Sequence, residues 1–348
     1  MARKVLIFVK KCSIITVVYY LDETEMSMAV SEKAEGAVKA TLKGKIISGV
    51  GGLYNVLTED GRSIECRARG SLRYNSISPY PGDNVLITEE SNGKSAIKEI
   101  LPRKNFFIRP PAANIDKLFI TVAAADPSPA FITIDKLTVA AEYYKTEPVI
   151  LVTKSDLDKD MAQNIERIYK NAGYKVFVTS SRIGEGIDEL KSFVLSEIKG
   201  CTAVFAGESG VGKSSLMNAL FPFLDLRTGE ISRKISRGKH TTRAVTLYSL
   251  ESEARYDGAF LADTPGFGIF DLATVENVFK EDVQFLFPEY EPYLLSCKYK
   301  KCTHLREEGC AVMEGLEKGE LSKERHESYV KIYEEIKTLR PFQSTKNK

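Results

Sequence analysis

Residues 207–214 read Gly-Glu-Ser-Gly-Val-Gly-Lys-Ser, a complete G-x-x-x-x-G-K-[ST]. Glycines let the backbone turn its amides inward around phosphate oxygens, where a side chain would block the approach. Gly207, Glu208, Ser209, Gly210, Val211, Gly212 and Ser215 frame that cradle. Lys213 brings a positive charge to the β/γ oxygens of a bound nucleotide, and the Ser214 hydroxyl suits a Mg2+ ion. The apolar run Thr202–Ala206 precedes the loop and the helical stretch Ser215–Leu220 follows it, which is the context the motif needs. A helix starting there adds its own positive potential. A second cluster is Cys297, Cys302, His304 and Cys310, spaced C-x4-C-x-H-x5-C. Three thiolates and one imidazole make a closed tetrahedral shell for one structural Zn2+, with no position left for a reactive water. A disulfide pair is the competing reading. Cys12, Cys66 and Cys201 are scattered and read as unpaired small hydrophobes. His326, on the final helical stretch, is expected to face solvent.

Asp263-Thr264-Pro265-Gly266 follows another apolar run, Ala259–Ala262. Asp263 at a strand end can hold Mg2+ through water, and the Gly266 amide can meet a γ-phosphate. Upstream lies Gly238-Lys239-His240-Thr241-Thr242. Either Thr241 or Thr242 would complete the Mg2+ shell in the triphosphate state. Residues 227–243 hold six basic residues and one Glu, which suits a switch loop that orders on nucleotide or RNA. An ordinary exposed loop is the plainer alternative. Phe267 follows Gly266 where a Ras-like enzyme has a glutamine, and a phenyl ring cannot orient water. By chain position, His240 is the nearest candidate for that task.

Thr153-Lys154-Ser155-Asp156 ends an apolar run and looks like the guanine-reading [NT]-K-x-D element of GTPases. A carboxylate at Asp156 accepts two hydrogen bonds from guanine N1–H and N2–H2. Adenine offers no such pair, so it would leave the carboxylate unpaired. The Lys154 stem can lie against the ring. Thr179-Ser180-Ser181-Arg182 resembles the S-A-x element, whose backbone amide reads guanine O6. Most GTPases run from phosphate loop to guanine elements. Here Asp156 and Ser181 come first, so the chain resembles a circularly permuted GTPase.

Positioning these groups requires more than one domain. The chain has 348 residues, and at ~150 per domain that is two with room for a small third. Hydrophobic residues make up 43% and charged ones 28%, enough for real cores and wrong for a disordered, collagen-like or coiled-coil chain. Lys+Arg is 49 against 47 Asp+Glu, so no uniformly basic coat exists. Residues 1–36 read as a disordered extension: the apolar runs around Lys10 and Lys11 loosely resemble a signal peptide, but they are too short to span a bilayer and no convincing A-x-A cleavage site follows. Residues 37–109 show short alternating runs broken by turn signals and predict a small closed β-barrel. It carries 12 Lys/Arg and 7 Asp/Glu over 38–110, with Arg67, Arg69, Arg73 and Tyr74 close together. That cluster is either a solvated strand face or a surface that follows a phosphate backbone. Pro110-Pro111 predicts a linker. Over 110–278, strands alternate with helical stretches at 135–145, 159–172 and 186–198, as in a doubly wound parallel sheet. Residues 279–348 turn helical and Cys-rich, and Ser322–Leu339 predicts a helix packed on a neighbouring domain.

Together these features resemble one family, the ribosome small-subunit-dependent GTPases of bacteria (RsgA/YjeQ). The likeness rests on the barrel and on the order T-K-S-D, S-S-R, G-E-S-G-V-G-K-S, G-K-H-T-T, D-T-P-G-F, C-x4-C-x-H-x5-C. It implies an α/β fold: a circularly permuted P-loop GTPase domain with an N-terminal OB-type β-barrel and a C-terminal zinc-binding helical domain. It implies hydrolysis of GTP to GDP and phosphate, stimulated by the small ribosomal subunit, whose late maturation the protein assists through subunit and rRNA contacts. It implies Mg2+ with GTP, a cytoplasmic monomer without membrane contact, and a catalytic histidine at His240 alongside Lys213. An ATP-dependent enzyme and a non-catalytic RNA scaffold are the competing readings.

Overall fold

The computed structural model describes residues 41–69, 78–89, 95–108, 111–226, 245–250, 258–263 and 278–339. Five strands, β1 (Thr41–Val50), β2 (Leu53–Thr58), β3 (Ser63–Ala68), β4 (Asn84–Glu89) and β5 (Ser95–Ile100), close into a barrel in the order β1-β2-β3-β5-β4. Only β3 and β5 run parallel. Alternate residues Ile46, Val56, Cys66, Val85, Ile87 and Ile97 fill its interior. Closure removes the sheet edges that would otherwise be exposed. Arg67 is exposed on the barrel surface, Arg69 donates to the Thr88 hydroxyl at 2.8 Å, and Arg73 and Tyr74 lie outside the described residues.

A short hairpin, β6 (Phe106–Ile108) with β7 (Pro111–Ala113), follows the barrel. Pro111, expected in a linker, opens β7. Asn114 then ties the hairpin back by donating to the Gly82 carbonyl at 3.0 Å.

Six strands form the second sheet: β8 (Lys117–Ala123), β9 (Glu147–Thr153), β10 (Lys175–Val178), β11 (Thr202–Ala206), β12 (Thr246–Ser249) and β13 (Phe260–Asp263). Their order is β10-β9-β8-β11-β13-β12, parallel except for β12. Every residue of β8 and β11 is buried, because helices cover both faces. On one face Leu118, Ile120 and Val122 pack with α1 (Phe131–Tyr143) and α2 (Lys159–Asn171). On the other, Phe119 and Leu151 pack with α3 (Ile187–Glu197) and α4 (Lys213–Leu220). Helix α1 begins at Phe131, ahead of the expected 135. Its cap residue Ala130 makes no side-chain hydrogen bond, so no local capping signal marked the start.

The C-terminal part contributes α5 (Glu291–Leu294), α6 (Ala311–Glu317) and α7 (Lys323–Leu339). Tyr329, Ile332, Tyr333 and Ile336 on α7 join the core that holds α1, as the helical spacing predicts. His326 corrects the expectation of a solvent-facing side chain. It is half-buried, its Nδ1 lies 2.9 Å from the Tyr290 hydroxyl, and its ring stacks on Tyr329. The imidazole can leave water here because Tyr290 supplies a hydrogen-bond partner for one ring nitrogen while Tyr329 covers a face of the ring. Among the described residues, no helix is long and apolar enough to cross a membrane.

Candidate nucleotide and metal sites

The loop after β11 must turn sharply at Gly207. A Cβ there would lie 2.2 Å from the Thr121 carbonyl oxygen, so the close approach to β8 excludes any side chain. Gly212 takes a left-handed φ of 97° at the cap of α4, where glycine carries no penalty. The loop then delivers Lys213 at the first position of α4. Its ammonium is buried and donates to the carbonyls of Gly207 at 2.8 Å and Glu208 at 2.7 Å. Glu208 itself accepts from the Thr133 hydroxyl of α1 at 2.9 Å. Ser209, Gly210 and Ser215 are exposed, Ser214 is half-buried and Val211 is buried. The next strand over is β13, whose Asp263 backbone pairs with Phe205. The sheet thus sets the end of the D-x-x-G strand beside the start of the phosphate loop.

The T-K-x-D loop, at the end of β9, meets the same place. The Thr153 hydroxyl donates to the Val211 carbonyl at 2.5 Å and lies 3.1 Å from that of Val122. Lys154, at a left-handed φ of 55°, donates to the Gly210 carbonyl at 2.9 Å and to that of Asp126. Asp156 accepts from the Ser180 hydroxyl at 2.6 Å, and the exposed Arg182 guanidinium stands 3.9 Å away. Ser180 is buried and Ser181 exposed. Residues from β9, β10 and β11 thus converge at the carboxyl ends of parallel strands, where open α/β sheets hold their ligands. His240, Thr241, Thr242 and Gly266 lie outside the described residues.

Cys297, Cys302, His304 and Cys310 form a second centre. Their four ligand atoms lie within 4.8 Å of one another, a group that can hold a metal ion. His304 Nδ1 stands 3.6 Å from the Cys297 sulfur and 3.4 Å from that of Cys310. Its Nε2 donates to the Gln284 side-chain amide oxygen Oε1 at 2.8 Å, which leaves the Nδ1 lone pair facing the thiols. Burial pushes the Cys302 thiol up to about 12, with the Cys310 side chain adding to it, and burial raises Cys310 as well. A cation at the centre would reverse that balance. Glu307 shapes the loop that carries two of the ligands. It accepts from the Thr303 amide at 2.7 Å, the Thr303 hydroxyl at 2.5 Å and the Leu305 amide at 3.0 Å. Burial pushes this carboxyl up, yet the Thr303 and Arg306 donors outweigh it and hold it at about 2. Gln284 and Glu307 were missed in the sequence, where nothing separates them from other surface Gln and Glu. Cys66 and Cys201 are free thiols, and Cys12 lies outside the described residues.

Strand order gives the class. Counted cyclically from β11, the strands β11, β12, β13, β8, β9, β10 become first to sixth, and the sheet order becomes 2-3-1-4-5-6. The phosphate loop then follows the first strand and the guanine elements follow the fifth and sixth. This is a circularly permuted P-loop GTPase with a five-stranded barrel ahead of it. The family model for the RsgA GTPase matches residues 100–273, and that for the RsgA N-terminal domain matches 43–97. The chain belongs to the RsgA family of GTPases. The "Small ribosomal subunit biogenesis GTPase RsgA" of Ruminiclostridium cellulolyticum is 39% identical over 306 residues, covering 87% of this chain and 96% of that protein. Its namesake in Bacillus subtilis is 39% identical over 307 residues, covering 86% and 99%. Among solved structures, YjeQ from Thermotoga maritima aligns with a TM-score of 0.69 at 31% identity, over 85% of this chain and 99% of that one. YloQ, described as a circularly permuted GTPase, aligns at 0.68 and 34% identity, over 89% and 100%.

Proposed function

We propose that this GTPase binds the small ribosomal subunit and its rRNA, assists the late maturation of that subunit, and hydrolyses GTP when docked on it. The observation that carries the nucleotide site is the pair of bonds from Thr153 to Val211 and from Lys154 to Gly210, which join the guanine-reading and phosphate loops. The partner follows from the relatives, which are named for small-subunit biogenesis.

In this reading Asp156 accepts from the guanine edge, with Ser180 and Ser181 closing the base pocket. The amides of residues 207–215 and the Lys213 ammonium take the phosphates. The Lys213 contacts with Gly207 and Glu208 carbonyls hold its charge where the β/γ oxygens arrive. Mg2+ bound with GTP supplies further charge neutralisation, with Ser214, Asp263 and one of Thr241 and Thr242 as its protein partners. His240 orients the attacking water, since Phe267 has no polar atom to do so. A water-orienting group on the 227–243 segment would be set by the docked partner, which accounts for turnover that depends on it.

The metal is one structural Zn2+. Bonds of ~2.3 Å to sulfur and ~2.05 Å to nitrogen at a tetrahedral angle separate the two ligand atoms by ~3.6 Å. The sulfur–nitrogen distances of 3.6 and 3.4 Å agree with it. The barrel (37–109), GTPase (110–278) and zinc (279–348) modules act in one cytoplasmic monomer.

Phosphate release with purified small subunits added or omitted tests this reading. Strong stimulation by the subunit is expected, and its loss at high salt would mark the basic contacts. Equal rates with and without subunits would overturn it. GDP, and not ADP, should compete for the free protein.

A further inference from the structure

Glu185 lies between Gly184 and Gly186 in the turn after Ser181. Its carboxylate accepts from the Ser155 hydroxyl at 2.6 Å. Ser155 is the residue between Lys154 and Asp156, and it is buried. The Glu185 backbone carbonyl accepts from the Ser180 amide at 2.9 Å, closing an isolated bridge between the two residues. Ser180 in turn donates its hydroxyl to Asp156 at 2.6 Å. One residue therefore holds both base-facing loops, one through its side chain and the other through its backbone. The turn that brings it there depends on Gly186, at a φ of 67°, where a Cβ would lie 2.1 Å from the Val178 carbonyl oxygen. A further bond from the Ser155 amide to the Thr179 carbonyl, at 3.2 Å, completes the clamp from the other side.

We infer that Glu185 is a positioning residue for guanine recognition: through Ser155 and Ser180 it fixes the Asp156 carboxylate at the distance the guanine edge requires. The inference rests on the reading of Asp156 as the base-reading group. Discrimination among bases needs a carboxylate that cannot swing to follow a poorer ligand, because an adaptable acceptor re-pairs and loses selectivity. A short charge-assisted bond to a buried hydroxyl restrains the loop backbone on the residue adjoining Asp156.

The test compares binding of GDP with that of inosine diphosphate, which lacks the exocyclic amine that Asp156 would accept. Glu185→Ala should weaken GDP binding about tenfold or more. It should also narrow the GDP preference over inosine diphosphate at least severalfold. Glu185→Gln keeps an acceptor at the same reach and should restore most of both. Ser155→Ala removes the donor from the same pair and should reproduce the Glu185→Ala result, which covers the case where Glu185→Ala fails to fold. Asp156→Asn separates the two levels of the argument. If Asp156→Asn keeps the full GDP preference, the base-site reading fails. If it loses that preference while folded Glu185→Ala or Ser155→Ala retains it, the Glu185 inference fails and the base-site reading stands. A uniform loss for both diphosphates, not rescued by Glu185→Gln, would also overturn it, since general loosening of the loop predicts that pattern.

Discussion

The Arg325 guanidinium on α7 donates to the Asp135 carboxylate on α1 at 2.6 Å, and both side chains are fully buried. The same guanidinium donates to both carboxylate oxygens of Glu289, at 3.0 Å for one of them. It lies over the Phe287 ring at 4.8 Å and beside Tyr169 and Tyr174. Asp135 also accepts from the Tyr169 hydroxyl at 2.8 Å. One cation thus joins α7 to α1 and α2, the helices that cover one face of the six-stranded sheet. Arg325→Met leaves two carboxylates without their counter-charge and should cost about 3 kcal/mol or more in denaturant unfolding. Neutralising both acids as well (Asp135→Asn, Glu289→Gln) should recover much of it. A single variant as stable as the parent would mean that the network holds nothing together.

Lys213→Ala should reduce GDP affinity by about 100-fold, as loss of a charge-assisted phosphate contact in a closed site implies. Isothermal titration reads this directly. Retained affinity would remove Lys213 from the phosphate site.

His240→Ala should lower subunit-stimulated turnover by about 100-fold while GTP affinity stays near that of the parent. Single-turnover hydrolysis beside equilibrium binding separates the two effects. Unchanged turnover would assign the water to another group.

Glu307→Ala should weaken metal binding by about 10- to 100-fold, because the loop carrying Cys302 and His304 loses its shared acceptor. Gln284→Ala should act in the same direction through the His304 tautomer. Competition with a chelator whose affinity is known measures both. Equal affinity in parent and variants would show that the four ligands set the site alone.

Burial pushes His326 down to about 4, with the neighbouring His304 adding to it. A histidine in the unfolded chain titrates near ~6.5. Below that pH the unfolded chain takes up a proton that the folded one refuses, so stability falls as pH drops from ~6.5 towards ~4 and is full above this window. His326→Gln should flatten part of that slope. Melting temperatures of parent and variant at pH 7 and pH 5 check it, and parallel losses would sink the idea.

Much of the site was legible because its chemistry is contiguous. A G-x-x-x-x-G-K-S stretch, as at Gly207 to Ser214, is suited to phosphate through its own backbone amides, so residue type and spacing suffice to recognise it. T-K-S-D and the zinc-type spacing are equally local. His326 shows where that reading failed. Its position on a polar helix stretch suggested water, but Tyr290, 36 residues away in the chain, hydrogen-bonds it, and Tyr329, one turn along the same helix, stacks on it. The early start of α1 escaped notice because Ala130 carries no capping group.

By itself the sequence determined which groups were available: a phosphate cradle, a carboxylate fit for guanine, four soft ligands, and their permuted order along the chain. Covalent geometry limits what neighbours in sequence can do, so short spacings carry chemical meaning. Only the tertiary structure decided which distant groups share a site. Thr153 reaches the Val211 carbonyl from 58 residues away, and Arg325 finds Asp135 from 190. Such pairs have no local signature. They arise when apolar strands and helices bury their faces against one another, and that packing fixes where the polar groups at their ends must meet.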